Sequence, residues 1–166
     1  MPIIEIMSVE EKYEELLQAV KSLAEGESDA VALMANVSSL IHYAMGFWWT
    51  GFYIVKPSAD AARGSELVLG PFQGPVACTR IGYGRGVCGT AWKEKRTVIV
   101  PDVEQFPGHI ACSSESRSEI VVPVFGPDGS VCAVLDIDSR ELNTFSETDA
   151  RYLEAIVLIL AKIINE

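Results

Sequence analysis

Four cysteines and three carboxylates are the residues of this sequence best suited to chemistry. Cys112 stands in the polar stretch GHIACSSESRSEI, residues 108–120, although a free thiol ordinarily prefers a core. His109 and Arg117 are close to it in sequence, and positive neighbours favour the thiolate, the nucleophilic form. Cys88 follows the glycine-rich GYGRG at the start of a helical run, where unpaired helix N–H groups lower a thiol pKa. Cys78 falls at the end of a short predicted strand. Cys78 and Cys88 fit either a reactive role or that of small buried hydrophobes. Cys132, inside the apolar SVCAVLDI, reads as an inert core residue. No CxxC or HxxxH spacing occurs, so no metal site is expected.

In LDIDS, strand alternation puts Asp136 and Asp138 on one face. Glu119 opens the preceding predicted strand, and a hairpin between the two would bring it beside them. Like charges this close repel, so one carboxyl is expected to hold a proton near neutrality. The alternative for Asp138 is a strand end running into solvent, with Ser139 in a turn. Trp49 and Tyr53, four apart in WWTGFY, share a strand face and either fill a core or wall a pocket.

Elements that would position these groups follow from the hydrophobic period. VEEKYEELLQAVKSLAEG places Tyr13, Leu16, Leu17, Val20 and Leu23 on one helical face, ended by Gly26. A second helix is predicted over roughly 28–45, capped by Ser28. FWWTGFYIV reads as a strand, and ELVLGPF as another stopped by Gly70 and Pro71. A short strand follows around VACTRI, then a helix from about Gly86. GYGRG lacks the lysine and hydroxyl ending of a phosphate loop and reads as a turn. TVIVPDV is a strand, residues 104–118 a long loop, and EIVVPVF and SVCAVLDIDS a hairpin turned by Asp128-Gly129. Ser146 with Asp149 three residues later starts a C-terminal helix. The order predicts one α+β domain over 1–166, a central antiparallel sheet with helices packed on it.

The bulk properties narrow the function classes. A length of 166 residues suits one domain with its own core. A net charge of −10 with no basic run argues against nucleic acid and against anionic membranes. The longest apolar run, AIVLILAKII, is about half of the roughly 20 residues a membrane span needs. The start has no basic region of a signal peptide. A cytoplasmic location is therefore expected, with cysteines reduced at rest.

Taken together, GRGVCGTAW, VPDVEQFPGHIACSSESRSEIVVPVF and AVLDIDS closely resemble the free methionine-(R)-sulfoxide reductases, which are built on a single GAF domain. The likeness runs from the aromatic strand at 47 to the C-terminal helix. It implies Cys112 as nucleophile, with Cys78 and Cys88 as resolving candidates and Cys78 able to pair with Cys112. It implies that Glu119, Asp136 and Asp138 bind and protonate the substrate, and that Trp49 and Tyr53 hold its methyl group. Main-chain N–H groups of the loop, at Ile110 and Ala111, would receive its carboxylate. The implied partners are free L-methionine (R)-sulfoxide and a thioredoxin-like dithiol, with no cofactor. Homodimerisation through the first and last helices is a further expectation. The sequence departs from the family pattern at Cys132, a thiol with no assigned role. The competing readings are a GAF module that binds a small molecule without turnover, and a thiol redox sensor.

Overall fold

The computed structural model describes residues 6–109 and 115–165. In chain order the elements are α1 (Val9–Ala24), α2 (Ala30–Met45), β1 (Trp49–Pro57), β2 (Ser65–Gln73), β3 (Arg80–Ile81), α3 (Gly86–Glu94), β4 (Val98–Val100), β5 (Ser118–Phe125), β6 (Val131–Ser139) and α4 (Glu147–Ile164). Single 3₁₀ turns at Ala61–Arg63 and Val103–Gln105 interrupt the loops. The six strands form one antiparallel sheet in the order β3-β2-β1-β6-β5-β4. This is the predicted α+β architecture.

Alternation along the two central strands assigns each face of the sheet a different job. Ile120, Val122 and Val124 of β5 and Ala133, Leu135 and Ile137 of β6 turn to one side. There they pack with Tyr13, Leu16 and Val20 of α1, Leu33, Val37 and Ile41 of α2, and Leu153, Ile156 and Leu160 of α4. The residues between them, Val121 and Val134, turn to the other side and join Trp49, Tyr53, Val87, Cys88 and Ala91 in a smaller cluster under α3. Burying these large side chains on the three-helix face is worth about 1.5–3 kcal/mol each before entropy is counted, so that face anchors the fold and frees the α3 face for polar groups.

Local chemistry explains the element ends. Asp149 Oδ2 accepts from the Ser146 N–H at 2.8 Å, the predicted reciprocal cap. Its Oδ1 accepts from the Tyr13 hydroxyl at 2.5 Å and ties α4 to α1. Helix α2 is capped by Asp29 rather than Ser28, because the Asp29 carboxylate reaches the Ala32 N–H at 2.8 Å. At its other end Gly46 takes a left-handed φ of 72° that a glycine adopts without cost. Gly70 and Pro71 do not stop β2. Tyr53 pairs with Leu69 and Gly51 with Phe72, so both residues oppose Phe52 as a bulge, and β3 pairs only with Leu67 and Val68, leaving Pro71 on an open edge. The strand predicted around VACTRI shrinks to two residues, and Cys78 lies in the loop before it.

Candidate active site

The α3 face of the sheet carries the predicted carboxylates. Glu119 pairs directly with Asp138 across β5 and β6, and Trp49 pairs with Asp138 across β1 and β6. Asp136, two residues from Asp138, is paired with Gly51 on β1. Residues 49, 51 and 53 of β1 alternate onto this same face, so Gly51 leaves the floor bare between Trp49 and Tyr53. The Trp49 ring lies over that gap, 2.7 Å from where a Cβ at position 51 would stand.

Trp49 and Tyr53 stack at 6.0 Å between ring centroids, and Phe72 stacks behind Trp49 at 5.2 Å. The Trp49 indole N–H donates to the Pro75 carbonyl at 3.0 Å, and the Tyr53 hydroxyl donates to the Cys78 carbonyl at 2.9 Å. Both rings are thus held by the β2–β3 loop, which in turn is fixed over the sheet. With α3 they enclose a cavity of about 600 Å³ counting the open solvent at its mouth. Glu119, Asp136 and Asp138 lie at its base.

Helix α3 reaches this cavity because Gly89 packs against the preceding turn. A Cβ there would stand 2.6 Å from the Gly82 carbonyl oxygen, so only glycine lets the helix approach. The approach puts Cys88, in the first turn, against the carboxylates. Its thiol donates to Asp136 and its pKa is pushed well up, first by burial and then by Asp136, Glu119 and Asp138. This corrects the expectation drawn from the helix terminus: the partial charge of nine helical residues is outweighed by desolvation and three acids.

Glu119 and Asp136 are each only 6% exposed. Burial pushes the Glu119 carboxyl well above its ordinary range, reinforced by the charges of Asp136 and Asp138 and by the hydrogen bond to Asp136. Asp138 is raised well above its ordinary value by burial and by Asp136, while Ser116 opposes this by donating to its Oδ1 at 2.9 Å. Asp136 is raised by burial, against which the donors Glu119 and Cys88 pull it down. Asp136 therefore holds the negative charge and Glu119 the proton between them. His109 Nε2 stands 3.8 Å from Glu119 Oε2. Burial lowers the His109 pKa while Glu119 is raised, so the contact joins two neutral groups.

Trp48, Ser116 and Arg85 are among the cavity residues to which the sequence assigns no role. Trp48 precedes β1, outside the reach of strand alternation; among the described residues its buried indole N–H has no partner, and the Arg140 guanidinium lies 4.3 Å from the ring centre. Cys132 stays away from the site, half-buried on the three-helix face, with its thiol donating to the Val124 carbonyl. Cys88 and Cys132 are free, while Cys78 is disulfide-bonded. Cys112, Ile110 and Ala111 lie outside the described residues. Arg117, predicted beside Cys112, is exposed, and its main chain bonds Ser139 and Val103.

Comparison with known proteins places this arrangement. The GAF domain model matches residues 7–165. The chain is 52% identical over 153 residues to GAF domain-containing protein A of Dictyostelium discoideum, covering 92% of each. It is 44% identical over 165 residues to a free methionine-R-sulfoxide reductase of Saccharomyces cerevisiae, covering 96% of this chain and 87% of the yeast protein. Among solved structures, a free methionine-R-sulfoxide reductase of Neisseria meningitidis in complex with its substrate is similar with a TM-score of 0.89 and 50% identity, over 96% of this chain and 92% of that one.

Proposed function

Because this chain belongs to the GAF-domain family of free methionine-R-sulfoxide reductases, we propose that it reduces free L-methionine (R)-sulfoxide with Cys112 as the attacking thiol. The observation that carries this reading is the pair of buried carboxyls, Glu119 and Asp136, at the base of a cavity walled by Trp49 and Tyr53, where burial pushes Glu119 well above its ordinary range. A sulfoxide oxygen leaves as oxide only at great cost, so its reduction needs an acid that is protonated at neutral pH. Buried, mutually repelling carboxyls supply one.

In the proposed reaction the aromatic walls take the S-methyl group and Glu119 donates its proton to the sulfoxide oxygen. The Cys112 thiolate attacks sulfur; oxygen passes to the cysteine, giving methionine and a sulfenic acid. The Cys78 thiol then displaces water from that sulfenic acid and forms the Cys78–Cys112 disulfide. A thioredoxin-like dithiol returns both thiols by exchange and is itself oxidised. Two facts support Cys78 over Cys88 as the resolving residue. Cys78 is disulfide-bonded, and Cys88 is 3% exposed with a thiol kept protonated. Asp136 and Asp138 attract the substrate ammonium group, and the N–H groups at Ile110 and Ala111 receive its carboxylate. No helix among the described residues is long and apolar enough to cross a membrane, in keeping with the cytoplasmic location we propose. Homodimerisation is also part of this reading. The apolar run of α4 buries Ile156, Val157 and Leu160 within its own chain, which leaves Leu158 exposed for a partner.

The test is substrate discrimination. Reduced protein with a dithiol should release methionine from the free R epimer, and neither from the S epimer nor from a sulfoxide-containing peptide. Binding without turnover would make the domain a sensor.

A further inference from the structure

The same base of the cavity meets the requirements of a second ligand. Donor atoms of Cys88, Glu119 and Asp136 all lie within 4.8 Å of one another, and all three residues are buried. Among the described residues, Asp136 Oδ1 is buried without a hydrogen-bond partner, and it belongs to a residue that lines the cavity and is 6% exposed. An orphaned carboxylate oxygen in so dry a place ordinarily costs free energy, and a cation removes that cost. Among the described residues, Arg85 and His109 are the basic side chains that also line the cavity.

We propose that Cys88, Glu119 and Asp136 bind one zinc ion, which occupies the floor of the cavity and excludes substrate. One thiolate with two carboxylate oxygens suits a borderline-soft, four-coordinate ion, and hard ions such as magnesium are disfavoured. Zinc–sulfur bonds of about 2.3 Å and zinc–oxygen bonds of about 2.0–2.2 Å require donors spread over 4.8 Å to close in by about an ångström. The fourth position is left to water. On binding, the ion displaces the Cys88 thiol proton and the proton between Glu119 and Asp136 to solvent, and no oxidation state changes. The inference stands apart from the proposed catalysis, because binding needs neither Cys112 nor turnover.

The experiment uses chelator-treated, oxidised protein without added thiol, so that Cys78 is occupied and no small thiol competes for metal. Cobalt(II) is titrated as a visible probe. The expected result is a thiolate-to-cobalt charge-transfer band saturating at one ion per chain. Zinc should bleach it, a chelator should reverse it, and magnesium should do neither. The band should persist in Cys132→Ser and vanish in Cys88→Ser. In Asp136→Asn, affinity should fall by at least the roughly 10–100-fold that loss of an outer partner costs a metal site. Circular dichroism on each variant separates lost ligation from lost folding. Absence of the band in folded wild-type protein overturns the proposal, as does a band lost with Cys132 and kept without Cys88.

Discussion

Replacing Glu119 by glutamine separates the chemical role of the buried proton from its structural cost. Glutamine keeps the length and, through its amide N–H, can still donate to Asp136, as the protonated Glu119 carboxyl does. It cannot release that proton. Loss of a general acid lowers turnover by about 10²–10⁴, which corresponds to roughly 3–5 kcal/mol in the barrier. Stability should move the other way. The Glu119 pKa is raised on folding, so its native environment favours the protonated form. Its contribution is fully present below the unfolded value of about 4.3 and is lost as pH rises through the folded value. Wild type therefore becomes less stable toward alkaline pH, whereas Glu119→Gln escapes this term. Thermal melting across pH should show the variant gaining on wild type above about pH 4, most of all at alkaline pH, while methionine release falls. A variant that loses less than about tenfold in rate would move the acid to Asp136 or Asp138. A variant no more stable than wild type at high pH would refute the buried-proton argument itself.

Gly89→Ala should destabilise by about 1–3 kcal/mol, the usual cost of overpacking, because its Cβ meets the Gly82 carbonyl at 2.6 Å; chemical denaturation measures it. Leu153→Ala, at a fully buried site between α4 and the sheet, should cost about 2–5 kcal/mol in the same assay. Tyr13→Phe removes the donor to Asp149 Oδ1 and should cost about 1–3 kcal/mol, seen as a lower midpoint. Leu158→Glu should convert a dimer into a monomer in sedimentation experiments.

Strand parity made the site legible from the sequence. Asp136 and Asp138 share a face with Glu119 because the hairpin register is fixed by apolar residues that must turn to the three-helix side. Trp49 and Tyr53 followed from the same rule. What parity cannot supply is the depth of burial. Cys88 was expected to be activated by its helix terminus, yet its ionisation depends on three acids distant in sequence. By sequence alone Pro71 ends a strand, whereas the bulge that accommodates it is set by the partner strand. The Cys88–Glu119–Asp136 grouping has no sequence spacing to betray it, since α3, β5 and β6 meet only in the fold.

The most direct measurement is a single turnover. Reduced, desalted protein is given free L-methionine (R)-sulfoxide without any reductant, and methionine and cysteine pairing are determined together. The account predicts about one methionine per chain, a new Cys78–Cys112 disulfide and an unmodified Cys88. No methionine, or an equal yield from Cys112→Ser, would contradict it.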